Sequence, residues 1–274
     1  MLPGNHYQLS VLNIEPQGAW LGADGTKVLL PKRECPGELT TGSTLEVFLY
    51  LNRNNELTAT TREPFAEVGQ FALLQVNSIG PHGAFLNWGL EKDLLAPFSE
   101  QPQKMLEGRR YLVYLCHDQQ GRPIASARLE QFVEKENQDL KEGDEVELLI
   151  WAFTDLGAKV IVNDRYEALI YKNELPAGLK RGDRGTGYVA RIREDNRIDI
   201  SLRRTGANGV ADARDVILEA LQEEGGSLPL HDGSPPELIR SQLGLSKKQF
   251  KKAVGGLYKE GLISLSHKGI KLQN

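Results

Sequence analysis

Cysteine is nearly missing from this chain of 274 residues: there are two, Cys35 and Cys116, far apart and in no Cys-x-x-Cys pair. Free thiols in a reducing cytoplasm are the plain reading. The five histidines (His6, His82, His117, His231, His267) are scattered, which argues against a zinc site. No apolar run approaches the roughly 20 residues that span a bilayer, so no membrane partner is expected. The opening "MLPGNHYQLS" has neither a basic stretch nor an apolar core, so no secretion signal is expected. Neither charge dominates. With 33 basic and 37 acidic residues the net charge is −4, and any nucleic-acid site has to be a local patch. Catalytic signatures are missing too: there is no G-x-x-x-x-G-K-[ST], no H-E-x-x-H and no G-x-S-x-G. No two carboxylates are placed for acid–base work. A protein without enzymatic activity, metal or cofactor is expected.

What is present is repetition. Gly18-Ala19-Trp20, Gly83-Ala84-Phe85 and Gly157-Ala158-Lys159 each open a similar stretch, which ends at Glu34, Glu100 and Glu174. A polar loop follows, then a glycine (Gly42, Gly108, Gly182), then a β-rich run: "LEVFLYL", "YLVYLC", "GYVARI". A polar turn and a short strand ending in arginine close each unit: "ELTATTR", "RPIASAR", "RIDISLR". Each unit therefore holds about five short strands, the pattern of a small antiparallel barrel. The glycine before each alanine reads as a bulge or a sharp bend. Gly185–Ala190 fits G-x-G-x-x-A but leads into a strand, so a dinucleotide site lacks its helix.

After Arg204 the character changes. "TGANG" reads as a linker and "ADARDVILEALQEE" as a helix with Val216, Ile217, Ala220 and Leu221 on one face. Ser234-Pro235-Pro236-Glu237 and Ser246-Lys247-Lys248-Gln249 read as capping boxes. The second opens a helix with Phe250, Val254 and Leu257 on one face, which Gly261 stops. "LISLSHKGIKL" alternates like a hairpin around His-Lys-Gly. Three helices and a hairpin, in that order, predict a winged helix-turn-helix.

These repeats resemble the S1 RNA-binding domain, an OB-fold barrel. Three S1-like units followed by a winged helix resemble the conserved virulence factor B family of bacterial proteins. The fold class expected is mostly β with an α+β tail, divided at residues 1–64, 65–134, 135–206 and 207–274. The resemblance implies single-stranded RNA binding and a regulatory role. The S1 pattern, carried across, falls on His82, Phe85, Pro97, Asp118 and Arg122 in the second unit. In the third it falls on Leu156, Lys159, Tyr171, Arg193 and Arg197. In the first it falls on Gln17, Trp20, Pro31, Asn52 and Glu56, of which Trp20 alone matches the expected chemistry.

Aromatic rings stack bases and arginines hold phosphates. Phe85 with His82 and Arg122 makes one expected platform, although a ring in a strand also suits a barrel core. Tyr171 and Tyr188 lie in apolar runs and lean towards the core. Segment 178–204 holds eight basic and four acidic residues, a net of +4. Arg191 and Arg193 alternate there on one strand face, as a phosphate track would. In the tail, residues 211–239 carry a net −6 and residues 240–274 a net +7. Lys247, Lys248, Lys251 and Lys252 lie off the core face of the third helix, where a winged helix meets a duplex. They are point charges, and Gln249 is the obvious base reader. The reading favoured is a cytoplasmic RNA-binding regulator with little sequence preference. The alternatives are a DNA-binding transcriptional regulator using the winged helix, and a protein-binding adaptor with degenerate barrels. The short linkers near Glu63-Pro64 and Glu134-Lys135 suggest limited inter-domain motion.

Overall fold

The structure, a computed structural model, describes residues 1–23, 25–203, 206–266 and 269–273, with no side chain described over 206–212. Three closed five-stranded barrels follow one another. The first comprises β1 (His6–Glu15), β2 (Gly18–Ala23), β3 (Thr26–Pro31), β4 (Thr44–Leu51) and β5 (Leu57–Thr60). The second comprises β6 (Phe71–Ile79), β7 (Gly83–Asn87), β8 (Leu94–Pro97), β9 (Arg110–His117) and β10 (Pro123–Ser126). The third comprises β11 (Glu145–Phe153), β12 (Gly157–Val162), β13 (Tyr166–Tyr171), β14 (Arg184–Ile192) and β15 (Ile198–Ser201). In each, the third and fifth strands pair in parallel, and the other pairs are antiparallel. Alternate residues point inward and fill the barrel, as Ala19, Leu21, Val28, Leu30, Leu49 and Ala59 do in the first. Gly185–Ala190 lies wholly within β14, so the dinucleotide fingerprint has no helix to open.

The repeated glycines are not bulges. The bulges sit on the facing first strands, between Val11 and Asn13, Val76 and Ser78, and Ile150 and Ala152. The glycines instead permit a close backbone approach. Gly18, Gly83 and Gly157 have φ of 151°, 158° and 151°, and a Cβ on any of them would sit 2.0 Å from a carbonyl oxygen of the next strand. The repeated glutamates have a structural role as well. Glu34 accepts from the Thr60 hydroxyl, and Glu100 accepts from Ser126 at 2.6 Å. Each ties the 3-10 turn after the third strand to the end of the fifth.

The linkers are pinned rather than free. Phe48 of the first barrel packs edge-on against Trp88 of the second, with ring centroids 5.6 Å apart, and both are buried. Val68 N–H donates to Gly4 O, and Phe65 N–H to Trp88 O, each at 2.8 Å. At the next seam Tyr114 stands at the β9 position equivalent to Phe48, and it stacks on Phe132 at 4.2 Å. Phe71, Leu112 and Leu129 close over Leu149, Trp151 and Ile161 of the third barrel. Arg184 reaches back to donate to Phe71 O at 2.6 Å. Burial of these aromatic and aliphatic groups holds consecutive barrels in contact.

The tail folds as α1 (Gly206–Glu223), β16 (Ser227–Leu228), α2 (Pro236–Leu243), α3 (Lys247–Lys259), β17 (Ile263–Ser266) and β18 (Gly269–Leu272). The sheet order is β16-β18-β17, and β16 was not expected from the sequence. Ile217, Leu221, Ile239, Phe250, Val254 and Leu257 form its core with Ile263 and Ile270. The expected linker is a correction. α1 begins at Gly206, so the Gly-Ala-Asn-Gly stretch is helical, extended cooperatively from the apolar run behind it; Thr205 lies outside the described residues, as do His267 and Lys268 of the hairpin turn. The first capping box is a second correction. Pro235 is the N-cap, because a residue before proline is held extended, and Ser234 instead accepts from His231 N–H at 2.9 Å. The second box forms as read, with Ser246 and Gln249 each accepting from the other's backbone N–H. Gly261 follows the last turn of α3 with φ of 72°.

Candidate nucleic-acid interface

Strand register places one row of outward side chains across the second, third, fifth and fourth strands of every barrel. In the first barrel the row is Trp20, Leu29, Thr58, Tyr50. In the second it is Phe85, Leu95, Ile124, Cys116. In the third it is Lys159, Leu169, Asp199, Arg191. One topology thus carries three different chemistries.

The third barrel holds the most complete combination of ring and charge. Tyr171 ends β13 and is 40% exposed, against the lean towards the core that its apolar run suggested. It pairs with Gly157 at the strand end, where no side chain stands opposite to cover it. Its hydroxyl accepts from Arg193 Nη2 at 3.2 Å, while Arg193 Nε donates to Asp199 at 2.9 Å. The Asp199 hydrogen bond raises the Arg193 pKa above the usual guanidinium value. Arg191 lies opposite Asp199 in the strand register and is exposed, while the Asp199 carboxylate itself is held by Arg193. Phe153 and Leu156 leave further exposed apolar surface on the β11–β12 hairpin. Arg197 is exposed and stands 3.5 Å from Asp195. Lys159 is engaged otherwise: its ammonium meets Glu167 at 2.7 Å and lies 4.9 Å over the buried Trp151 ring.

The second barrel does not gather its expected platform at one point. Phe85 is half-buried, with its ring over Gly80. His82 is exposed in the turn before β7, and Arg122 precedes β10 beyond the other end of Phe85. Arg122 donates to Asp118 from Nε at 2.8 Å. Burial works to raise the Asp118 pKa, yet hydrogen bonds from the Arg122 backbone and side chain and from Gln120 N–H hold it below the usual carboxylate range. Cys116, in the same row, is pushed up to about 11, by burial first and the nearby Glu100 and Asp118 charges next. Phe98 was missed from the sequence. It is 43% exposed, and its N–H donates to His82 O at 3.2 Å, so a ring stands beside that histidine. The signal for it is the repeat itself, since Lys32 and Lys172 occupy the same step after β3 and β13.

In the first barrel Trp20 is half-buried on β2, where it helps to hold the Glu15 carboxyl below the usual range. On the winged helix, Lys248, Lys251 and Lys252 are exposed on α3, Lys247 is half-buried, and Lys251 Nζ stands 3.9 Å from Asp232. The Gln249 side-chain oxygen accepts from Ser246 N–H at 3.0 Å and Oγ at 2.8 Å, so the expected base reader serves as a helix cap. Among the described residues no group of three or more His, Cys, Asp or Glu could hold a metal ion, and no helix is long and apolar enough to cross a membrane.

Tandem five-stranded barrels with a three-helix winged tail define a multidomain protein built from S1-type and winged-helix domains. Residues 3–62 match the S1 domain, and residues 215–272 match the CvfB-like winged helix domain. The S1 match falls on the barrel in which the S1 pattern read from the sequence finds the fewest matching residues. The resemblance read from the sequence is matched by similarity to conserved virulence factor B proteins along nearly the whole chain. It is similar to Conserved virulence factor B of Staphylococcus haemolyticus, 28% identical over 279 residues that cover 95% of this chain and 93% of the relative. It is similar to the "Uncharacterized protein YitL" of Bacillus subtilis, 26% identical over 274 residues that cover 96% and 91%. A solved structure described as a multidomain protein with nucleic acid binding domains, from Streptococcus pneumoniae TIGR4, aligns over 99% of this chain and 98% of that one, with 24% identity and a TM-score of 0.42.

Proposed function

We propose that this protein is a cytoplasmic, non-enzymatic regulator that holds single-stranded RNA by base stacking and phosphate contact, with little sequence preference. The observation that carries the reading is the exposed Tyr171 ring, fixed by Arg193 beside the exposed Arg191 on the ligand face of the third barrel. A held ring stacks a base without first losing rotamer freedom, and the arginines donate to the adjoining phosphates. Phe85, His82 and Phe98 offer rings on the second barrel, and Trp20 offers one on the first. The α3 lysines add backbone contacts without base reading.

Competition tests the substrate class. Labelled unstructured RNA bound to the full chain is challenged with unlabelled RNA of the same sequence or with duplex DNA of equal length. Displacement by RNA at concentrations where duplex DNA is ineffective is expected. A duplex that displaces the RNA first would assign the winged helix as the main site and favour a DNA-binding regulator.

A further inference from the structure

The ligand face of the first barrel is roofed by its neighbour. A pocket of roughly 210 Å³ lies there, between Tyr50, Thr58, Arg33 and Arg53 of the first barrel and Glu91 of the β7–β8 loop. Arg33 donates to one Glu91 carboxylate oxygen, and Arg53 Nη2 stands 3.9 Å from the other. One carboxylate therefore serves two guanidiniums, and both arginine side chains are more than half exposed. Beside them Lys92 donates to Asn52 O at 3.0 Å and to Asn55 Oδ1 at 2.5 Å, tying the β7–β8 loop to the β4–β5 turn. Burial, and then the charge of Arg122, lower the Lys92 pKa. A carboxylate between two guanidinium forks has the charge and acceptor oxygens of a phosphodiester.

We propose that this seam is a phosphate site for single-stranded RNA, and that Glu91 fills it as a carboxylate stand-in which the phosphate displaces. The inference rests on the RNA reading above and adds two arginines that the S1 pattern does not mark. Exchange is easy because an exposed ion pair stabilises little. The site links the Trp20 face of the first barrel to Arg122 of the second, so one strand can cross from barrel to barrel. Glu91 also sets a threshold: weakly charged ligands leave it in place.

The test is filter binding of an unstructured oligoribonucleotide to the full chain over a series of salt concentrations. Glu91→Gln is compared with Glu38→Gln, which removes the same charge from an exposed site elsewhere on the first barrel. Glu91→Gln is expected to bind several-fold more tightly at low salt, with a log–log salt slope steeper by about 0.7 to 1.4, one or two phosphates. Glu38→Gln is expected to stay within about twofold of wild type, as a distant screened charge should. Arg33→Ala with Arg53→Ala in the Glu91→Gln background is expected to reverse the gain. Arg53→Ala alone is expected to flatten the slope with Glu91 untouched. Equal behaviour of the two glutamine variants, or a gain that survives loss of both arginines, would overturn the seam site and leave the RNA reading standing. No retention by wild type or by Glu91→Gln would overturn both.

Discussion

Replacing Gly83 with alanine is expected to destabilise the second barrel severely. Gly83 has φ of 158°, and a Cβ there would lie 2.0 Å from Ala96 O and 2.8 Å from the Ala96 carbonyl carbon. Neither side can move aside. Ala96 is fully buried, and its carbonyl already accepts from the Gln101 side-chain amide at 2.7 Å. Gly83 itself pairs with Pro97 and accepts from Gly80 N–H at 2.9 Å. Backbone strain and a broken β7–β8 ladder together cost on the order of 4 kcal/mol. The control is Gly108→Ala: φ there is 76°, but a Cβ would meet nothing within 4 Å. That change carries the left-handed penalty alone, about 1–2 kcal/mol. Urea unfolding of both variants decides the matter, and a Gly83→Ala midpoint no lower than that of Gly108→Ala would show that the close approach relaxes. Gly18 and Gly157 repeat the geometry, so alanine there is expected to behave like alanine at Gly83.

Tyr171→Ala is expected to lower affinity for single-stranded RNA about tenfold, the scale of one lost base stack. It removes no charge, so the salt slope is expected to stay as in wild type. Tyr171→Phe keeps the ring and loses only the hydroxyl that Arg193 holds; it is expected to bind within about threefold of wild type, a loss on the scale of one hydrogen bond. Arg191→Ala separates the two contributions, because it is expected to flatten the slope by about 0.7 while leaving the ring in place. The ring is exposed and its loss opens no core cavity, so thermal stability should barely change. Unchanged RNA affinity in Tyr171→Ala would remove the third barrel as the stacking site.

The barrels were legible because their signals are local and repeated. Alternation marked the strands, and Gly-Ala steps marked where two strands approach. Of a bulge and a sharp bend, the bulge is excluded for the glycine: a bulge and a close approach ask for the same residue, and only the opposing carbonyl tells them apart. Alternation also shows which side chains point outward, but not what covers them. Phe48, Phe71 and Tyr114 therefore read as ordinary strand aromatics, whereas each is spent on a neighbouring barrel. Lys159 falls on the S1 pattern, but Glu167 and Trp151 engage it once β11, β12 and β13 are laid side by side. Tyr171 shows the opposite error, an apolar run ending in a ring that the strand end leaves open. The Arg33–Glu91 pair joins residues 58 apart in sequence across two domains, and no local pattern announces it. The α3 cap was readable because Ser246 and Gln249 satisfy each other within one turn.

The most direct measurement is equilibrium binding of an unstructured oligoribonucleotide to the wild-type chain as salt is raised. Several phosphate contacts predict a straight log–log plot falling with a slope of about −2 or steeper, at about −0.7 per phosphate. Negligible retention at every salt concentration, or retention that salt leaves unchanged, would contradict an account built on arginine–phosphate contact beside exposed rings.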